Sequence, residues 1–281
     1  MNPSEVTITR RRTMRAAAWL LALSAAALGA ACADVSSSPE SPASIEMVDF
    51  PFPSVVVGDT LRDVNGAVAR VRAIVRNATG DTLAAAGTRY LYADYNRDSA
   101  LAVDSLTGLV VATRAATGDA RIAARAGASL QVIKKLLVTV RPDTVSAGKV
   151  SAVLTTAFPD TGRAKASANT TDALPVLVQN RQSATPAGVN GWIVRFTLVR
   201  PANPTNDTTQ AAWLVNDNGT ASVIDTTDSG GNAGRKVRIR AAQFPAAGTD
   251  SVVVQATVTY KGKAVPGSGA VVSAQVKRGT S

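Results

Sequence analysis

The sequence predicts an all-β chain: two antiparallel β-sandwiches in tandem, preceded by an N-terminal signal helix and a disordered tether. Short runs of alternating apolar and polar residues recur between clusters of Gly, Asp, Asn and Pro. A period of two marks a strand with one packed face and one wet face. No amphipathic helical stretch separates these runs, which favours antiparallel sandwiches over mixed folds. The chain has 281 residues and a single cysteine, so it must be held by apolar cores, and its length suffices for two.

Arg10, Arg11, Arg12 and Arg15 form a basic start, and Ala16 to Leu28 is apolar apart from Ser24. That run is too short to cross a bilayer and stay there, so residues 1–31 read as an export signal. The arginines also fit a twin-arginine core at Arg11-Arg12-Thr13-Met14, although any signal needs positive charge and general secretion is the simpler reading. Leu28-Gly29-Ala30-Ala31-Cys32 ends the signal. This layout resembles the lipobox of bacterial lipoproteins, with Gly29 where a branched apolar residue is usual. The resemblance implies that Cys32 is acylated and becomes the mature N-terminus. An ordinary signal cut after Ala31 or Ala33 is the alternative. Ala33, rather than an aspartate, follows the cysteine, so the outer membrane is the expected destination in a host with two membranes. Residues 32–48 are polar and Ser/Pro-rich, cannot bury enough surface to fold, and read as a tether.

Residues 49–141 read as the first sandwich. Val68 to Val75 alternates, with Ala69, Val71, Ala73 and Val75 inward and Arg70, Arg72 and Arg76 outward. Tyr90–Tyr95, Ala100–Val103, Leu109–Ala112, Ala120–Ala124 and Leu130–Val140 come next as strands, Lys134 and Lys135 breaking the alternation of the last. The stretch from Ala100 to Ala112, with its core Asp104-Ser105-Leu106-Thr107-Gly108-Leu109-Val110, and then Thr117-Gly118-Asp119-Ala120-Arg121-Ile122, resembles the group 2 bacterial immunoglobulin-like domain. Val57-Gly58-Asp59-Thr60-Leu61 looks like its opening strand, and Tyr92 stands where that family often has a tryptophan. The resemblance covers Phe50 to Arg141 and implies a non-catalytic immunoglobulin-like sandwich. Residues 142–172 are expected to be a linker, or an irregular first edge of the second sandwich.

Residues 173–281 read as that second sandwich. Leu174, Val176 and Val178 alternate, as do Val194, Phe196 and Leu198; Val252 to Tyr260 is the longest such run, and Val272, Ala274 and Val276 form the last strand. Ala221 to Ala233 followed by Val237-Arg238-Ile239-Arg240 resembles, more loosely, the intimin/invasin-type group 1 immunoglobulin-like domain. Pro201 to Asp207 is longer than a plain hairpin and is expected to bulge at one end.

The chain carries 30 Lys+Arg against 20 Asp+Glu and no histidine. A basic surface favours anionic neighbours, and solubility alone accounts for a charge of this size. An exported chain without a recognition motif gives no reason to expect nucleic acid. The absence of histidine removes Ser-His-Asp and Cys-His catalysis and histidine-bound zinc. A hydrolase survives only as a carboxylate-pair enzyme. Asp94-Tyr95-Asn96-Arg97-Asp98 has the oxygen spacing of a calcium loop, but Ser99 and Ser105 stand where glycine and a bidentate acid belong, so a polar turn is expected. Ser146-Ala147-Gly148-Lys149 matches Ser-x-x-Lys without its partner motifs. No cofactor or metal is expected.

The candidate contacts are two cationic rows, Arg70, Arg72 and Arg76 on one strand and Lys236, Arg238 and Arg240 on another, since side chains two apart share a face. Trp192 and Trp213 could give a sugar-stacking platform, or belong to the core. The expected function is a lipid-anchored cell-envelope spacer, adhesion or assembly module, whose partners are the membrane and other envelope proteins. The alternative is a module that binds glycans or polyanions.

Overall fold

The computed structural model describes residues 41–84, 87–94, 100–116, 119–150, 153–156, 169–182, 185–241 and 249–278. The expected signal, Cys32, most of the tether and four of the five residues of the Asp94–Asp98 loop lie outside them. The described residues are all-β and contain no helix.

The N-terminal strands are β1 (Ser44–Met47), β2 (Ser54–Val56), β3 (Ala73–Arg76), β4 (Thr82–Leu83), β5 (Arg89–Tyr92), β6 (Leu101–Val103), β7 (Val110–Ala112), β8 (Ala120–Ala126) and β9 (Leu130–Thr139). One sheet has the order β2-β9-β8-β5, with β2 parallel to β9 and the other pairs antiparallel. A second has the order β1-β3-β4, and β6 pairs with β7. Bridges from Val57 to Ala112, Thr60 to Val111 and Arg70 to Leu109 tie β7 to the segment between β2 and β3.

The C-terminal strands are β10 (Thr144–Ala147), β11 (Val153–Thr156), β12 (Leu174–Asn180), β13 (Ala187–Gly188), β14 (Ile193–Arg200), β15 (Ala212–Val215), β16 (Ile224–Thr226), β17 (Asn232–Ile239), β18 (Thr249–Thr257), β19 (Thr259–Tyr260), β20 (Lys263–Ala264) and β21 (Ala270–Arg278). One sheet runs β10-β12-β17-β15, with β13 beside β12; the other runs β11-β21-β18-β14-β16; β19 and β20 form a hairpin. Strand β11 lies parallel to β21, as β2 does to β9. Apart from β13 and β16, these two sheets have the four-plus-three strand order of an immunoglobulin sandwich with an extra short strand beside the last. Strand β16 departs from that order by returning to β14 before β17 begins. Among the described residues, no sheet takes strands from both parts of the chain.

Alternation explains which faces pack. In β14, Val194, Phe196 and Leu198 are buried while Arg195 and Arg200 are exposed, and the same rule places Val252, Val254, Ala256, Val272, Ala274 and Val276 inside. Tyr90 and Tyr92 share the inner face of β5, but Tyr90 is the buried one and its hydroxyl accepts the Ala73 N–H at 3.0 Å. Lys134 lies on the inner side of β9 and escapes at the edge to Asp49, 2.6 Å away.

Three expectations change. Ser44–Met47, at the end of the expected tether, is strand β1 paired with β3, and Met47 is buried in the core; four residues are too few for their alternation to stand out beside the Ser/Pro-rich stretch. Val68 to Val75 is not one strand: Val68 bridges Arg62, Arg70 bridges Leu109, and only Ala73–Arg76 pairs with β1. Its in–out period persists while its partners change, so alternation could not reveal the break. Within residues 142–172, β10 and β11 are edge strands of the two C-terminal sheets, paired with β12 and β21. The edge alternative describes those two segments better than a linker does.

Among the described residues, Phe196 is the largest fully buried side chain. Phe196→Ala should lower unfolding free energy by about 3–5 kcal/mol in a denaturant titration, since the cavity adds to the lost burial.

Candidate functional site

The first cationic row is exposed at Arg70, Arg72 and Arg76. Arg76 turns onto its own hairpin, donating from Nη1 to the Gly80 carbonyl at 3.2 Å and the Thr82 hydroxyl at 3.4 Å. Arg70 lies near Asp104, whose carboxyl is held below its usual range mainly by the Thr107 and Leu106 N–H groups and only slightly by that arginine. Arg70 and Arg72 are the parts of this row least committed to neighbours.

The second row is engaged within the protein. Lys236 pairs with Asp217 at 3.0 Å. Arg238 and Arg240 lie 5.6 and 5.1 Å from the Trp213 ring centre, an arrangement set by the cross-strand pairing of Trp213 with Arg238. Arg240 also donates to the Thr208 carbonyl at 2.8 Å. Trp213 is left 9% exposed, so its ring serves these cations, each contact being worth about 0.5–1 kcal/mol at a surface. On the inner face of the same strand, Arg235 is buried and pairs with Asp225 at 2.9 Å.

Trp192 lies where the two parts of the chain meet. Its ring is 4.7 Å from Phe52 and 5.9 Å from Tyr260, both tilted, and its Nε1 donates to the Thr259 carbonyl at 3.2 Å. At 5% exposure its faces are covered by protein. Ser54 donates to the Gly191 carbonyl at 2.9 Å, and the Asn190 N–H donates to the Thr139 hydroxyl at 2.9 Å.

Asp59 is the electrostatic centre of this junction. It accepts from the Tyr260 hydroxyl at 2.8 Å, from Arg62 twice at 2.9 Å and from the Thr60 N–H at 2.8 Å, with Lys261 Nζ at 3.3 Å. Burial pushes its carboxyl upward, but the Arg62, Tyr260, Thr60 and Lys261 donors outweigh that and hold it well below the carboxylate range. Burial and the adjacent Asp59 charge push the Tyr260 hydroxyl up to about 12. Lys261 and Gly262 have φ of 53° and 72°, the two left-handed residues of a tight hairpin turn between β19 and β20. The tip of that hairpin meets Gly66, where a Cβ would stand 2.2 Å from the Gly262 nitrogen. A small crevice of about 20 Å³, open to solvent, lies between Asp59, Arg62, Trp192 and Tyr260.

The family resemblance places Asp59 in an opening strand, whereas it sits in a bend after β2, between the bridges of Val57 and Thr60, and no local pattern pairs it with the Lys261-Gly262 turn. The partners lie 201 residues apart, and nothing local signals such a contact. Asp94, the described member of the calcium-like loop, gives its carboxylate to the Arg121 backbone and guanidinium. Among the described residues no group of three or more His, Cys, Asp or Glu could hold a metal ion. No helix among them is long and apolar enough to cross a membrane.

The junction should respond to pH at both extremes. The contribution of Asp59 is present above its unfolded pKa, about 4, and is lost as pH falls from there toward its lower folded value. That of Tyr260 is present below about 10 and is lost as pH rises toward about 12. Thermal melts should therefore be level between those limits. Asp59→Asn should shrink the acid limb without abolishing it, since Asp81, Asp94, Asp104, Asp207 and Asp228 are also held below the usual range, and should cost about 2 kcal/mol at neutral pH, because Arg62 and Lys261 lose a charged acceptor.

No protein-family profile matches the chain, and no curated protein sequence does. The group 2 and group 1 resemblances therefore rest on the residues quoted for them. Among solved structures, the chain is similar to the Yersinia pseudotuberculosis adhesin InvE at 13% identity and TM-score 0.33, covering 84% of this chain and 59% of that one. Domains 5-6 of the S-layer protein SbsC align at 11% identity and TM-score 0.28, covering 85% and 99%. Cadherin domains 1-4 of protocadherin gamma B7 align at 12% identity and TM-score 0.26, covering 83% and 49%. The chain thus spans about three fifths of InvE and half of the protocadherin fragment. At these scores the immunoglobulin-like reading rests on the strand order described above.

Proposed function

We propose that this chain is a lipid-anchored spacer of the cell envelope, built from two tandem immunoglobulin-like domains and acting in adhesion or assembly without catalysis. The observation that carries this reading is the junction around Trp192, Tyr260 and Asp59. It spends the aromatic and ionisable groups that might otherwise form a reactive cleft on holding one sandwich against the next. Both Asp59 oxygens are taken up by donors from Thr60, Arg62, Tyr260 and Lys261, so the carboxylate is held as an acceptor of hydrogen bonds and lacks the raised pKa of a general acid. A spacer needs such a joint, because a position set at the lipid end reaches the far loops only if the intervening contacts are fixed.

Lipid anchoring is supported by the basic and apolar signal that ends at Cys32, the only cysteine. Mass spectrometry of the processed protein should find the N-terminal Cys32 acylated, and Cys32→Ser should release the protein from the membrane fraction. An unmodified amino end would overturn the anchor. Gly66→Val should separate a single cooperative unfolding transition into two by forcing the β19–β20 hairpin away; one unchanged transition would overturn the fixed joint.

A second reading, polyanion binding, is favoured by the exposure of Arg70, Arg72 and Arg76. Retention on an immobilised acidic polysaccharide should fall with salt and be lost when all three become serine.

A further inference from the structure

The outer face of the β5–β8–β9 sheet carries a cationic pattern unlike either row described above. Arg89 and Arg125 stand directly opposite each other on antiparallel neighbours, and both are exposed. Like charges opposed in this way destabilise a sheet, their Cβ atoms being only about 5 Å apart. Neither has an acidic partner among the described residues; Arg125 Nε donates to the neutral Gln131 side chain at 2.7 Å. The other two cations of this face are neutralised: Arg121 by Asp94 at 2.5 Å and Lys135 by Asp119 at 3.3 Å. The uncompensated charge is therefore concentrated at one end of the face.

Next to that pair, one cross-strand row is apolar: Leu91, Ala123 and Ile133 are in register. Ala123 is fully buried beneath its neighbours, Leu91 is half-buried, and Ile133 is 46% exposed. The two rows are two residues apart along the strands, or roughly 7 Å. An extended chain laid along the strands advances by the same distance every two residues.

We propose that this face docks a protein partner presenting an acidic side chain two residues from an apolar one, on an extended segment or strand face. The acid would bridge Arg89 and Arg125 and relieve their repulsion through charge-assisted hydrogen bonds. The apolar side chain would cover Ile133 and Leu91. The apolar row favours protein over an acidic glycan, since the described residues of this face include no aromatic ring for a sugar to stack on. It also disfavours a bilayer, where the Arg121–Asp94 and Lys135–Asp119 pairs would have to be brought to the lipid surface. This inference rests on the adhesive reading for its purpose and names its partner class. Its test alters neither Cys32 nor any junction residue, so its failure would leave the spacer reading standing.

The probe is the peptide acetyl-Glu-Thr-Ile-Thr-Glu-amide, titrated into isotopically labelled full-length protein and followed by amide chemical shifts. Shifts should centre on Leu91, Ala123, Arg125 and Ile133. Affinity should fall about tenfold in Arg89→Ser/Arg125→Ser, the equivalent of about 1.4 kcal/mol, with a melting temperature no lower than the parent's. Ile133→Ser, which keeps every charge, should weaken binding about threefold, as expected for losing part of one apolar contact. Absence of shifts on this face, or shifts that survive both variants, would overturn the proposal. So would oligogalacturonate or phosphatidylglycerol vesicles that perturb the same amides more strongly and ignore Ile133→Ser, which would identify a glycan or a bilayer instead.

Discussion

A carboxylate withdrawn from water must find donors, and Asp59 finds them in both parts of the chain. Arg62 and the Thr60 N–H come from its own neighbourhood, while the Tyr260 hydroxyl and Lys261 arrive from far along the sequence. With 9% of its surface exposed, the charge is costly to bury unless these partners are present. The aromatic contact of Phe52, Trp192 and Tyr260 supplies the apolar surroundings, and the ionic cluster gives that contact a single register. Apolar packing alone is non-directional. Hydrogen bonds to one carboxylate allow far less slippage.

The close approach of the hairpin depends on two backbone permissions. Lys261 accepts a left-handed conformation, uncommon for a residue with a Cβ, and Gly66 leaves out the Cβ that would collide with Gly262. Both act where the two parts of the chain meet.

Much of the fold was legible from alternation. Val194-Phe196-Leu198 and Val252-Val254-Ala256 could be read as inward faces because burial on one side of a strand imposes a period of two. The partner switch between Val68 and Ala73 was not legible, since side-chain period is blind to which neighbour the backbone bonds. The edge strands β10 and β11 were hard to separate from a loop because each is four residues long and pairs with strands far along the chain. Among the candidate contacts, Arg238 and Arg240 lie over the Trp213 ring, an arrangement that spacing along one strand could not show. The Arg89–Arg125 opposition was missed for a related reason: the two residues belong to different strands, and only register brings like charges together.

In each part of the chain a short early strand runs parallel to the last one, β2 beside β9 and β11 beside β21. Tension applied at the two ends of such a unit drags these strands lengthwise past each other. The hydrogen bonds between them then share the load in shear, whereas a hairpin pulled open at one end surrenders its bonds singly. A protein held at one end and loaded at the other would thus meet force where its sheets are mechanically hardest to part.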